Sequence, residues 1–383
     1  MSILALGGDG FCGWPTVLRF LKNGKKVTIV DNLSRRKIDK KISSNSLTSI
    51  APIKLRVDTA KKIFGKRNID YENIDICKNV NDLKTLIKKK KPKTIIHFAE
   101  QRSAPYSMMD STTREYTVNN NITGTHNVCS SIIDVNPKIH LIHLGTMGVY
   151  GYTKEFGQIP EGYLDIQIKQ TKKNAKVLYP ANPGSIYHMS KCIDQLIFQY
   201  YNKNWKLKIT DLHQGIVWGI NTLETKMHQN FVNRFDYDGI YGTVLNRFCS
   251  QAANKHPLTI YGLGEQTRAF IHVSDTAKCI LLAEKNSGFD NSKVRIFNQV
   301  SEVHSLNSLA NKISKLYGSE IKYYSNPRKE LKKNGLVVSS SGLKNLGFKP
   351  IYLNEKLLED VKLIANIFKQ RFNKKNILNS PKW

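Results

Sequence analysis

Tyr187 and Lys191 stand four residues apart in the pentapeptide Tyr187-His188-Met189-Ser190-Lys191. On a helix that spacing sets both side chains on one face. An ammonium beside a phenol favours the phenolate and lowers its pKa from an ordinary value of about 10. A tyrosine placed in this way can act as an acid and a base near neutral pH. The spacing alone is common on solvated helices. Its weight comes from the glycine-rich stretch far upstream, Gly7-Gly8-Asp9-Gly10-Phe11-Cys12-Gly13.

Gly7, Gly10 and Gly13 lie between a short apolar run and an amphipathic stretch. Glycines there permit a tight turn and let the backbone approach a pyrophosphate at a helix N-terminus. Phe11 and Cys12 complete the turn. Asp31 ends the next apolar run, 18 residues after Gly13, where a carboxylate binds the adenosine ribose with Asn32 beside it. A carboxylate repels a 2′-phosphate, so NAD is favoured over NADP. Arg35 and Arg36 soften that choice, since either can pair with a phosphate. Asp75 and Ile76, after a third apolar run, suit the adenine end. His140-Leu141-Ile142-His143-Leu144-Gly145-Thr146 reads as a strand ending in a hydroxyl, and ligands of parallel sheets sit at strand C-termini. Thr146 is thereby placed to orient a sugar hydroxyl beside Tyr187.

The elements that must hold these residues follow the rhythm of a doubly wound parallel sheet of α/β class. Strands are predicted at residues 2–6, 26–30, 69–74, 93–98, 139–145 and 207–213, with helices at 13–23, 80–90, about 112–135 and 184–203. Residues 33–68 are long for a loop and predict an inserted helix or ordered excursion. After about residue 215 the apolar runs shorten. Helices are expected near 243–254, 274–285, 305–317 and 355–370, and strands at 258–261, 294–299 and 320–324. The organisation expected is a dinucleotide-binding domain over 1–215 and a smaller mixed substrate domain over 216–383, with some segments returning to the first. The basic tail after about residue 371 is expected to be mobile.

Composition narrows the function classes. The chain has 383 residues, 40% of them hydrophobic, enough for a large core. No run reaches the roughly 18 apolar residues of a membrane span. The N-terminus reads as a buried strand rather than a signal or transit peptide. The six cysteines show no C-x-x-C spacing, which argues against a disulfide framework or a zinc site, and no metal is expected. The net charge of +29 invites a nucleic-acid reading. The lysines are spread along the chain among many Asn and Ile residues, as an AT-rich coding sequence produces, so no specific nucleic-acid partner is expected.

Whole segments carry a narrower resemblance. Gly7 through Trp14, Glu100-Gln101-Arg102-Ser103-Ala104-Pro105-Tyr106-Ser107-Met108, Gly145-Thr146-Met147-Gly148 and Tyr187 through Lys191 resemble the UDP-sulfoquinovose synthase family. So do Phe235-Asp236-Tyr237-Asp238, Leu245-Asn246-Arg247-Phe248, Gln266-Thr267-Arg268 and the closing Ser380-Pro381-Lys382-Trp383. These are extended short-chain dehydrogenases/reductases with a Rossmann fold, classed with the carbon–sulfur hydrolases. The resemblance implies that NAD oxidises C4 of UDP-glucose while Tyr187 removes the hydroxyl proton. Water then leaves across C5–C6, sulfite adds at C6, and C4 is reduced again.

Carried over residue by residue, the resemblance implies catalytic roles for Thr146, Tyr187 and Lys191, and a sulfite pocket at His188. One residue on from Tyr187, His188 points about 100° away around the helix. Cofactor contacts are implied for the residues named above and for Val217. Substrate contacts are implied for Arg102, Asn120, Thr146, Gln214, Val244, Leu245, Asn246, Arg247, Thr259, Tyr261, Gln266, Arg268, Asn326 and Arg328. Arg247 and Arg268 suit a diphosphate, which guanidinium forks pair with well. Two departures stand out. Val149 occupies the place of the glutamate that the family carries beside the catalytic Thr, and His213 replaces an Asn. Elimination needs an acid for the departing C6 hydroxyl.

The resemblance further implies a homodimer, sulfite delivery by a partner such as ferredoxin-dependent glutamate synthase, and a plastid stroma or bacterial cytoplasm. The absence of a transit peptide and the AT-rich composition point to plastid encoding. Two other readings stay open. Val149 suits a UDP-glucose 4-epimerase or 4,6-dehydratase, and the charge suits a non-enzymatic NAD-binding scaffold associated with RNA.

Overall fold

The structure, a computed structural model, describes residues 2–151, 157–328 and 336–383. Seven short apolar segments build one parallel sheet: β1 (Ser2–Leu6), β2 (Lys26–Val30), β3 (Ile69–Glu72), β4 (Thr94–His97), β5 (His140–Thr146), β8 (Ile209–Gln214) and β12 (Arg295–Gln299). Their order is β12-β8-β5-β4-β1-β2-β3, and each neighbouring pair runs parallel. The central strands β1, β2 and β4 are near-continuous apolar runs because helices cover both faces of the sheet, whereas β3 and β12 at its edges and β8 beside β12 carry polar residues. Leu4 and Leu6 face one layer, while Ile3 and Ala5 face the other.

The first layer is formed by α1 (Gly13–Lys22), α3 (Ile53–Phe64) and α9 (Val273–Lys285), with Trp14, Val17, Leu18 and Leu21 of α1 in one buried stripe. The second is formed by α4 (Val80–Lys90), α6 (Gly124–Val135) and α7 (Ile186–Trp205). Ser185 caps α7 by accepting from the His188 amide, which fixes where the helix carrying Tyr187 begins. Asp110 and Thr113 form a capping box on α5 (Ser111–Val118), which runs through a π-turn at Asn119–Thr123 into α6. The stretch 33–68 holds α2 (Ser34–Lys41) and α3. Strand order reverses between β1 and β4, the place where ligands of such sheets bind.

Above the strand C-termini lie α8 (Val244–Ala253), α10 (Leu306–Tyr317) and α12 (Glu355–Ile367), with β10 (Leu258–Tyr261) paired to β14 (Ile321–Tyr324). They share an apolar core with Trp218, Phe235, Phe248 and Phe270. A three-stranded sheet links this region to the first: β9 (Ile216–Trp218) and β13 (Glu302–Ser305) flank β11 (Thr267–His272). A short α11 (Ser341–Asn345) packs on β12. Among the described residues no helix is long and apolar enough to cross a membrane.

Three features depart from expectation. A hairpin of β6 (Tyr163–Ile168) and β7 (Lys173–Leu178) was not anticipated: Leu164-Asp165-Ile166-Gln167-Ile168 does alternate, but the lysine-rich turn and β7 give it no matching partner run. Strands β9, β11 and β13 were also unforeseen, each being only three to six residues long. The tail after residue 371 is packed rather than mobile: Ile377 is fully buried, Ser380 Oγ donates to the Gly239 carbonyl, and Trp383 Nε1 donates to the Gly184 carbonyl.

Candidate active site

Two cavities meet over the carboxyl ends of the strands. The first sits at the β1/β4 crevice and is lined by Gly7, Gly10, Phe11, Cys12 and Gly13. Asp31, Asn32, Arg35, Asp75, Ile76, Tyr187 and Lys191 also face it. At Gly13 a Cβ would lie 2.3 Å from the Gly7 carbonyl oxygen, so only glycine lets the turn close here. Asp31 accepts from the amides of Asp9 (3.0 Å) and Leu33 (2.8 Å), and Asn32 Nδ2 donates to Asp75 (3.1 Å). Burial, then the neighbouring Asp9 carboxylate, pushes Asp31 up to about 6, against the pull of the two amides and Arg36. A closed glycine turn at a helix N-terminus with a carboxylate at the end of β2 fits a dinucleotide.

The two arginines that kept a 2′-phosphate open are engaged elsewhere. Arg36 grips Asp9 through two hydrogen bonds (2.6 and 2.9 Å). Arg35 pairs with Asp39 and Asp236 and lies 3.5 Å from the centroid of the Tyr241 ring. Burial also pushes the Cys12 thiol up to about 12, against the pull of Arg102, so it is an inert wall residue.

The second cavity encloses about 660 Å³, within the range of small-ligand sites. Thr146, His188, Gln214, Val217 and Val244 line it, as do Arg102, Arg247, Arg268 and Arg328. Tyr261, Gln266 and Asn326 complete the predicted members, and Trp383 adds a wall from the tail. No Asp or Glu side chain occurs among its described lining residues. Four guanidinium groups and an imidazole in one lining favour an anionic ligand, with Arg102 also paired to Asp236. Tyr187, Arg102 and Gln214 border both cavities, so Tyr187 stands at their junction.

Several predicted residues fall elsewhere. Asn120 lines the first cavity, not the second, while Val217 lines the second and not the first. Leu245 and Asn246 line neither, because α8 presents Val244 and Arg247 to the cavity and turns the intervening pair inward. Leu245 enters the apolar core, and Asn246 Oδ1 accepts from the Gly219 amide at 2.9 Å. Thr259 lies beneath the floor, its hydroxyl accepting from Gln251 at 3.0 Å. Val149 is buried among Met147, Tyr150, Ile159, Tyr179 and Cys192 and faces neither cavity. His213 is also behind the wall, between Tyr150 Oη (2.6 Å) and Asp211 (2.9 Å).

Tyr187, Lys191 and Thr146 converge at the junction, with the Thr146 hydroxyl near enough to the phenol to favour its ionised form. His188 opens on the second cavity only and packs over Gly148, where a Cβ would lie 2.2 Å from its ring. Tyr187 itself is half-buried in the wall. The protein around it pushes its phenol above the ordinary value, with Lys191 pulling it down and Glu100 pushing it up. The expected lowering by Lys191 is therefore not the net result. The first reason is burial, which disfavours the phenolate; the second is a group absent from the sequence-based site, Glu100, whose buried ion pair with Lys191 offsets part of the ammonium's field.

Glu100 opens a polar chain under the site. Its Oε1 lies 2.9 Å from His143 Nε2, His143 Nδ1 is 2.8 Å from Asp211, and Asp211 reaches His213. Burial and Lys191 push His143 down, but the flanking Asp211 and Glu100 carboxylates prevail and hold it at about 9. Burial, together with Glu100, pushes Asp194 up, so it is the protonated member of the cluster. The signal was readable in part: a His and an Asp in mid-strand of a sheet covered on both faces must find buried partners.

Comparison with known proteins places these features. Residues 3–298 match the model of the NAD dependent epimerase/dehydratase family. The chloroplastic UDP-sulfoquinovose synthase of Spinacia oleracea is 41% identical over 386 residues, covering 100% of this chain and 79% of that protein. UDP-sulfoquinovose synthase of Sulfolobus acidocaldarius is 37% identical over 393 residues, covering 100% of this chain and 98% of the relative. The fold is shared with UDP-glucuronic acid 4-epimerase from Bacillus cereus, solved with UDP-glucuronic acid and NAD. That match has a TM-score of 0.69 at 20% identity and covers 97% of this chain and 100% of the other.

Proposed function

Because the chain belongs to the NAD-dependent epimerase/dehydratase family, and within it to the UDP-sulfoquinovose synthases, we propose that it converts UDP-glucose and sulfite to UDP-sulfoquinovose. The observation that carries this reading is the second cavity, lined by four arginines and His188, meeting the dinucleotide crevice at Tyr187. NAD, when bound, supplies the reversible hydride acceptor for sugar C4. Gly7, Gly10, Gly13 and Asp31 would hold it, and the division of labour runs from 1–215 for the cofactor to 216–383 mainly for the sugar nucleotide.

Tyr187 Oη takes the proton of the C4 hydroxyl, with Thr146 orienting the same oxygen and Lys191 beside it. Arg247, Arg268 and Arg328 pair with the diphosphate. This leaves Arg102 and His188 nearer the junction, where the anionic sulfite must enter. The C6 hydroxyl needs an acid as it leaves. Val149 faces away into an apolar cluster, so in this reading His188, the imidazole of the sugar cavity, takes that role.

The protein incubated with UDP-glucose, NAD and sulfite should yield UDP-sulfoquinovose by mass spectrometry. Formation of UDP-galactose or a 4-keto-6-deoxy sugar without sulfite would favour an epimerase or dehydratase instead, the reading that apolar Val149 motivates. A methyl group at Gly148 separates the two halves of the site. Gly148→Ala should displace the His188 ring, which its Cβ would approach to 2.2 Å. We expect KM for sulfite to rise by about tenfold or more, the loss of one charge-assisted contact, with NAD binding unchanged in a fluorescence titration.

The same reading extends to assembly and place. Leu196 and Tyr200, one turn apart on α7, are 61% and 56% exposed, which supports a homodimer through this helix. The chloroplastic relative supports a plastid location. Delivery of sulfite by ferredoxin-dependent glutamate synthase rests on the family resemblance alone.

A further inference from the structure

We propose that Glu100 is a positioning residue for Tyr187: its buried carboxylate pairs with Lys191 and holds back the ammonium's pull on the phenol, so that the tyrosine both takes and returns a proton. The inference rests on the reading of Tyr187 as the acid–base of the site. Glu100 follows β4, and its side chain is only 4% exposed. Its Oε1 accepts from Thr125 Oγ1 at 3.1 Å and lies 2.9 Å from His143 Nε2 and 3.3 Å from His97 Nε2. These partners come from α6, β5 and β4, so the carboxylate cannot swing away without disturbing the sheet.

Lys191 is held as firmly. Its ammonium donates to the Leu144 carbonyl at 3.0 Å and pairs with Glu100. Lys191 Nζ and His143 Nε2 are 3.0 Å apart, a separation that two cations tolerate only because Glu100 faces both. Behind His143 the chain continues through Asp211 and His213 to Tyr150, whose hydroxyl donates to Asn298 at 2.9 Å. The network thus ties β4, β5, β8 and β12 to one lysine. Its other charged neighbour, Asp194, lies 3.8 Å from Nζ and is held protonated by burial and by Glu100.

The charge balance at Tyr187 follows. The groups facing it are Lys191 and His188 from α7, Glu100 and Arg102 from the segment after β4, and Thr146 at the end of β5. Burial raises the phenol, Lys191 lowers it and Glu100 raises it again. In the proposed reaction the proton leaving the C4 hydroxyl goes to the phenolate oxygen, and the same proton returns when C4 is reduced. A tyrosine locked as phenolate serves only the first half, and one locked as phenol only the second.

The test needs no sugar nucleotide. The tyrosinate absorbance of the purified protein is titrated with pH in the wild type and in Glu100→Gln, each against its Tyr187→Phe counterpart to isolate this one phenol. Glu100→Gln removes a like charge and the close counter-ion of Lys191, both of which favour the phenolate; because Asp194, 3.8 Å from Nζ, is freed to ionise in its place, the variant is also titrated together with Asp194→Asn. The Tyr187 midpoint is therefore expected to fall by about one pH unit or more. Glu100→Asp keeps a carboxylate and should fall between the two; it also carries the test should the Gln variant fail to fold. A midpoint unchanged in the folded variants, accompanied only by a lower melting temperature, overturns the proposal in favour of a purely structural ion pair. Absence of UDP-sulfoquinovose in the activity assay, with the midpoint shifted as expected, would instead count against the reaction and not against Glu100.

Discussion

Tyr187→Phe should leave a folded protein that still binds NAD and UDP-glucose, while turnover falls by roughly 10²- to 10⁴-fold, the usual contribution of a positioned general base. The substitution removes one oxygen from a half-buried ring and creates no cavity. Its direct polar loss is the interaction of the phenol with the nearby Thr146 hydroxyl. The arginines of the sugar cavity and the glycine turn of the dinucleotide crevice are untouched, so KM should change little while kcat collapses. The measurement is a single-turnover record of nicotinamide reduction after mixing with UDP-glucose, beside a melting curve. A variant that reduces the cofactor within a few fold of the wild-type rate would show that another group takes the C4 proton.

The second large effect concerns stability beneath the dinucleotide site. Arg56 is fully buried, with its guanidinium on Asp9 at 2.9 Å and on the Val232 carbonyl at 2.6 Å, 4.7 Å from the Trp14 ring centroid. Asp9 is shared with Arg36, and its amide donates to Asp31. Asp9→Ala would leave the Arg56 charge buried without its counter-ion, a change that costs about 3–5 kcal/mol. Against a typical total of about 5–15 kcal/mol, this is a large fraction. We expect a marked drop in the urea midpoint and weaker NAD binding, since the turn that holds Asp31 loosens as well. Unfolding in urea followed by fluorescence checks the first, and a NAD titration at low urea checks the second. A midpoint near the wild-type value would mean that water replaces Asp9 beside Arg56.

Much of the scaffold was legible because its signals are local. The apolar runs that become β1, β2 and β4 are short and nearly continuous, as strands covered on both faces tend to be, while β5 and β8 keep enough apolar residues between their polar ones to be read as strands. The glycine turn announces itself, since backbone crowding at Gly13 admits no side chain. Where the reading failed, the determinants were long-range. Nothing near Leu245 or Asn246 distinguishes them from Arg247; only the way α8 docks decides which of its faces meets the cavity. The hairpin was missed because only β6 alternates while its lysine-rich partner β7 does not, and the packed tail because a few anchoring contacts leave no periodic trace.

The sequence by itself determined the chemistry at the helix that starts after Ser185: Tyr187 and Lys191 are set on one face by helical geometry, and His188 is set off by one residue. The sequence also determined the family, through segments too specific to arise from composition. Only the tertiary structure decided the electrical setting of that pair. Glu100, His143 and Asp211 come from β5, β8 and the segment after β4, and Glu100 is 91 residues before Lys191, so no spacing rule connects them. Their meeting is a consequence of strand order in the sheet. A field that depends on distances of a few ångströms cannot be read from a chain whose partners are brought together only by folding.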